Sequence, residues 1–147
     1  MGIAYGFHDD LALEVWEGTV TLDEWLDLVC KQVTDPEWPA RRGMGLTDLR
    51  YGVPDPAIGE AEIRRVAALY GIHREKIVRT RVALVAGEAF RKSRLFGHFM
   101  ANYGLTVIVF DDLDMACKWL GVDAGKVQQA IEGLRARLQS ASRPQKG

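Results

Sequence analysis

Two short runs, Arg81-Val82-Ala83-Leu84-Val85-Ala86 and Leu105-Thr106-Val107-Ile108-Val109-Phe110, decide the fold. Both are rich in β-branched and aliphatic residues and lack strict apolar–polar alternation. That pattern marks strands of a parallel sheet covered on both faces. Between them Gly87 turns the chain into a helical spacing that puts Leu95, Phe96, Phe99, Met100 and Tyr103 on one side. Strand, helix, strand in that order predicts an α/β unit.

The same alternation extends in both directions. Upstream, Gly45-Leu46-Thr47-Asp48-Leu49-Arg50 reads as a short strand and Gly52 to Gly59, with Pro54 and Pro56, as a loop. A helix follows, with Ile63, Val66, Ala67 and Tyr70 inward, and stops near Gly71. At the N-terminus Ile3, Tyr5 and Phe7, then Leu11, Leu13 and Val15, alternate around His8-Asp9-Asp10, as in a β-hairpin. Thr21 and Glu24 form a capping box that opens a helix with Leu22, Trp25, Leu26, Val29 and Val33 on one face. Asp35-Pro36 ends it, because proline drives its predecessor out of helical geometry. Downstream, Asp112 caps a helix through Leu113, Ala116, Trp119 and Leu120 that ends at Gly121. A last helix begins near Asp123 and spaces Val127, Ile131, Leu134 and Leu138 by four, three and four. The tail from Ser140 to Gly147 is polar and expected to fray. The expected fold is α/β: a mixed sheet with a largely parallel core, an N-terminal antiparallel hairpin, and helices on both faces. Residues 1–122 form the α/β domain, and 123–147 are an added helix and tail.

A chain of 147 residues makes one domain with a real core. Hydrophobic residues at 48% and charged residues at 27% exclude a disordered or fibrous class. A formal net charge of −1 offers no bulk attraction for nucleic acid, so any anion site must be local. Cys30 and Cys117 sit in amphipathic stretches outside any Cys-x-x-Cys pair and read as small buried residues of a reducing compartment. No signal segment opens the chain and no apolar run is long enough to span a bilayer, so the expected location is cytoplasmic.

Glu17-Gly18-Thr19-Val20-Thr21, Leu46-Thr47-Asp48-Leu49-Arg50, Val82-Ala83-Leu84-Val85 and Val109-Phe110-Asp111-Asp112-Leu113-Asp114-Met115-Ala116, leading into Trp119-Leu120-Gly121, together resemble the SpoIIAA-like proteins. This bacterial group is similar to STAS domains (anti-sigma-factor antagonists) and is sometimes linked to Sec14-type lipid carriers. The resemblance spans roughly residues 3 to 122. It implies a small interaction or ligand-binding domain, and a protein partner. In anti-sigma-factor antagonists a serine or threonine opens the helix after the strand similar to Leu46 to Arg50. Here Tyr51 to Glu60 contains neither, and none appears before Thr80, so the phosphorylation switch is expected to be absent.

Candidate chemistry is sparse. His8, His73 and His98 are scattered, with no nucleophile or carboxylate at helical spacing and no metal-ligand pattern. Arg41-Arg42-Gly43-Met44-Gly45 holds a Gly-x-Gly that precedes a strand instead of following one, which excludes a nucleotide loop. Asp111, Asp112 and Asp114 cluster at the end of a strand, where one is needed as a cap and three could hold Mg²⁺; capping is the reading adopted, and no metal or cofactor is expected. Asp48 and Asp111 lack an identifiable catalytic partner. Trp25 and Trp119 read as core, while loop residue Trp38 marks a possible contact surface.

The anomaly is Arg91, Lys92 and Arg94, which put cations in the first turns of a helix, after Gly87-Glu88. Cations there oppose the helix dipole, so a small anion is the expected ligand, with Glu88 offsetting and Arg50 pointing into the same crevice. Two functions follow: a regulatory module that binds a protein, or a carrier of an amphipathic ligand held by Phe90, Phe96, Phe99 and Tyr103. The seam Val127, Ile131, Leu134, Leu138 is narrow enough to pair two helices and is expected to form a homodimer interface.

Overall fold

In the computed structural model, which describes residues 2–39 and 43–142, the hairpin comes first. Strands β1 (Ile3–His8) and β2 (Leu11–Val20) pair antiparallel. Helix α1 (Leu22–Thr34) leads to β3 (Met44–Pro54), then to α2 (Glu60–Gly71) and a single turn, α3 (Arg74–Ile77), which the sequence reading does not contain. Next come β4 (Arg81–Ala86), α4 (Phe90–Ala101), β5 (Thr106–Phe110), α5 (Leu113–Leu120) and α6 (Ala124–Ser142). The sheet order is β1-β2-β3-β4-β5, with every pair after the hairpin parallel. The expected mixed sheet with a parallel core is therefore present. Of the segments singled out in the sequence, Arg41, Arg42 and residues 143–147 lie outside the described residues.

Strands that advance in one direction with crossovers of one hand place all their helices on one face. Accordingly α1, α2 and α4 share a core with Val20, Leu49 and Leu84 of the sheet. Helices α5 and α6 build a second core on the opposite face with Leu11, Leu13, Val15, Leu46 and Val85. The caps are as read. Thr21 Oγ1 accepts from Glu24 N, and Asp112 accepts from Asp114 N and Met115 N. Gly121, at φ 74°, closes α5 in the left-handed conformation that glycine tolerates.

Six expectations are corrected. Strand β3 continues through Gly52 to Pro54, and the loop begins only after it. The register steps from Val15↔Asp48 to Glu17↔Tyr51, so Leu49 and Arg50 together face Trp16 in a bulge. Gly52 makes this close passage possible: a Cβ there would lie 2.5 Å from the Trp16 carbonyl carbon. Pro54 is tolerated because β4 no longer pairs beyond Leu49.

Strand β5 is one edge of the sheet and is incompletely covered on the α5 side; Ile108 is 39% exposed. The cause is that α5 lies mainly on β4 and α6 on β1 and β2, so that α5 meets β5 at Phe110, whose ring lies 5.8 Å from that of Trp119. Cys30 is exposed on α1, whereas Cys117 is buried as expected, and burial pushes its thiol up to about 11.

The dimer seam is also corrected. Val127, Ile131, Leu134 and Leu138 are buried in the chain's own second core, with Leu134 lying over Gly6 of β1. The narrow stripe suits a sheet face as well as a helix, and the sheet takes it. Helix α6 thus completes the domain instead of forming an addition after residue 122. It also holds its hydrogen-bonded form through Ser142, past the expected fraying point at Ser140.

Candidate functional site

Between the sheet and the layer of α1, α2 and α4 lies a cavity of about 90 Å³. Its walls are aromatic because each neighbouring element contributes a ring. Trp16 of β2 meets Trp25 of α1 edge-on, with centroids 5.3 Å apart. Trp25 continues to Phe96 of α4 at 5.6 Å, and Phe96 to Tyr70 of α2 at 6.1 Å. Trp38, after α1, stacks on Tyr70 at 5.7 Å. Such a chain of rings fixes its members through complementary edges and faces. Trp38 is therefore part of this wall and not a free contact surface.

One carboxyl enters this apolar space. Glu14 stands between Ala12 and Trp16 on the face of β2 that α1 covers. Trp16 Nε1 donates to its Oε2 at 2.6 Å, and Gln32 Nε2 of α1 donates to its Oε1 at 2.8 Å. Gln32, itself buried, accepts from the Tyr70 hydroxyl at 2.5 Å. The result is a continuous path from carboxyl to amide to phenol. Among the described residues no Lys, Arg or His forms an ion pair with Glu14.

Burial raises the Glu14 carboxyl above its ordinary value of 4.5, against the pull of its two donors, Trp16 and Gln32. Burial, and then the Glu14 charge, raises the Tyr70 phenol. At the rim Tyr5 donates to Asp35 Oδ2 at 2.9 Å, and burial together with that bond pushes its phenol up to about 12.

A carboxyl whose folded pKa exceeds its unfolded value contributes stability that is present below the unfolded value and is lost as pH rises through the folded one. Glu14→Gln removes the ionisation and leaves, in its single amide oxygen, an acceptor at one of the two carboxyl oxygen positions. Its melting temperature relative to wild type should therefore be constant below pH 4.5 and rise as pH climbs above it. Parallel melting curves of the two proteins from pH 4 to 9 check this; a constant offset across the range would contradict it.

The expected anion crevice is not assembled. Lys92 reaches the cavity, and its Nζ lies 3.5 Å from the Asp55 carbonyl. Arg94 lines a separate shallow groove with Phe90, His98 and Val107 against the β5 edge. Arg91 and Glu88 are exposed. Arg50 lies on the opposite face of the sheet, because Asp48 captures it. Its Nε donates to Asp48 Oδ1 at 2.9 Å and its Nη2 to Oδ2 at 3.0 Å. Arg135 of α6 donates to the same Oδ2 at 2.9 Å, and Asp48 is fully buried. Asp48 is thus a structural clamp between β3 and α6. Exposed Tyr51 packs under Arg135 at 4.7 Å and Arg50 at 5.6 Å.

Of the expected aromatic face, Phe96 lines the cavity. Phe99 is buried under the Arg64 guanidinium at 4.8 Å, and Tyr103 packs against Gly71. Asp112 is used as a cap, and among the described residues no group of three or more His, Cys, Asp or Glu is placed to hold a metal ion.

The chain matches no protein-family model and no curated protein.

Sequence reasoning missed Glu14 and Gln32. A lone glutamate in an alternating strand reads as solvent-facing. The available signal was that its same-face neighbours, Ala12 and Trp16, are both apolar. Gln32 follows Trp25 by seven, Leu28 by four and Val29 by three, which places it on the inward stripe of α1.

Among the described residues no helix is long and apolar enough to cross a membrane.

Proposed function

We propose that this chain is a small-molecule-binding domain whose ligand occupies the aromatic cavity beneath α1, α2 and α4. The observation that carries this reading is the Glu14 carboxyl, held by Trp16 and Gln32 inside an otherwise apolar space. An apolar enclosure with a few convergent polar groups is the usual form of a ligand site. A half-buried carboxyl among apolar walls contributes nothing to packing that glutamine or leucine would not supply more cheaply. The reading deepens the carrier or sensor expected from the aromatic residues, with Glu14 in place of the cation cluster at its polar end.

The resemblance to SpoIIAA-like, STAS-related proteins enters the proposal as its regulatory half: a non-enzymatic module whose protein partner responds to occupancy. Burial of Thr47 supports the absence of a phosphorylation switch in this segment, since the residue lines the cavity from β3 and is only 8% exposed.

Ser93 of α4 lines the cavity and is buried, so Ser93→Leu should fill it. The variant should melt at or above the wild-type temperature and purify without any small molecule that wild type retains in native mass spectrometry. It should also lose the response of the cavity tryptophans to added ligand. A variant that carries and responds to ligand as wild type does would remove the cavity from consideration.

A further inference from the structure

The polar end of the cavity has a definite chemical preference, and this inference rests on the ligand-binding reading above. Glu14 offers two carboxyl oxygens, each of which can accept two hydrogen bonds. Each receives one donor, and both donors, the Trp16 indole and the Gln32 amide, are neutral. Among the described residues a lone-pair direction on each oxygen therefore remains without a donor, next to rings whose faces carry partial negative charge. Nothing on the described elements around it neutralises a carboxylate at this point. The hairpin brings Tyr5, α1 brings Gln32 and Trp25, and α2 brings Tyr70. Asp35 is turned to the Tyr5 hydroxyl. The Lys76 ammonium is occupied by the carbonyls of Val33 and Asp35, both at 3.0 Å. Lys92, the charged side chain that α4 adds to the lining, directs its Nζ at Asp55.

We infer that the cavity selects small alkylammonium ions, with the N–H groups of the ammonium on Glu14 and its alkyl part against Trp16, Trp25, Tyr70 and Phe96. Three physical terms favour that class over others. A charge-assisted bond to a carboxylate is roughly twice as strong as a neutral one. Aromatic faces attract a cation most when both are removed from water. An anion would meet a carboxylate and ring faces of the same sign. A volume of about 90 Å³ limits the ligand to a few heavy atoms unless the walls move.

Three probes of one carbon skeleton separate the possibilities: isobutylammonium, isobutanol and isobutyrate, titrated at pH 8 into the full chain. The indole N–H resonance of Trp16 reports occupancy, because that group donates to Glu14. Isobutylammonium should bind at least about tenfold more tightly than isobutanol, and isobutyrate should not bind. Glu14→Gln should reduce the ammonium to the level of the alcohol. If that variant does not fold, the wild-type comparison of the three probes still decides the matter. Equal or tighter binding of isobutanol or isobutyrate would overturn the ammonium assignment and leave the binding reading standing. A Trp16 resonance that none of the three moves would overturn both.

Discussion

Replacing Leu134 and Leu138 together by glutamate is expected to unfold the domain. Both side chains are about 95% buried, within a core that also takes Leu11, Leu13, Val15 and Leu46 from the sheet. Loss of a buried leucine alone costs about 2–5 kcal/mol, so two cost about 4–10 kcal/mol before any charge is buried. Domains of this size have only about 5–15 kcal/mol to lose. Urea denaturation followed by circular dichroism should show no folded baseline for the double variant, and a large drop in midpoint for Leu138→Ala alone. A helix that served only to join two copies would give a different result, a folded monomer with wild-type melting. That outcome would restore the seam to the interface role that its spacing first suggested.

Removing the carboxylate at Asp48 should be nearly as damaging. Asp48→Ala leaves the Arg50 and Arg135 guanidiniums facing one another on the α6 side of the sheet, with no anion between them. Breaking a buried pair by deleting one partner costs about 3–5 kcal/mol, chiefly through the uncompensated charge that remains. Here two cations are released at once, and the Arg135 Nε already lacks an acceptor. The expected signature is a fall in stability with early loosening of α6, read as faster amide exchange along Ala124–Ser142 than in the sheet. Adding Arg135→Met to Asp48→Ala should recover part of the loss, because it removes one of the two orphaned charges. Failure of Asp48→Ala to lower the unfolding free energy from urea titration by at least about 2 kcal/mol would mean that the arginines find solvent without cost.

These two results concern the side of the molecule that the sequence described well in parts and misassigned as a whole. The elements themselves were legible because their signals are local. Thr21-x-x-Glu24, Asp112 and Gly121 fix helix ends through hydrogen bonds and dihedral angles within a few residues. The apolar runs at Arg81–Ala86 and Thr106–Phe110 specify strands by composition alone. The parallel core under crossover helices then follows from their alternation.

What surrounds a residue is not local, and the errors gather there. Apolar Val107-Ile108-Val109 cannot tell whether one or both of its faces will be covered; that depends on where α5 and α6 run after the chain has left the strand. The stripe on α6 states that something covers it, and only the return of that helix across β1 and β2 makes the cover its own sheet. Arg50 and Lys92 look like neighbours in a strand-to-helix crevice, yet Asp48 holds one on the α6 face while α4 carries the other to the opposite side. Glu14 is the sharpest case. By itself it is an ordinary polar residue of a hairpin. Gln32, Trp16 and the ring wall from α1, α2 and α4 surround it, and that surrounding turns an ordinary strand carboxylate into a half-buried acid with a raised pKa. The sequence thus determined the elements and their order, since caps, breakers and periodicity act over one or two turns. The tertiary structure decided which faces meet, and so which charge is buried, because burial belongs to pairs of surfaces that lie far apart along the chain.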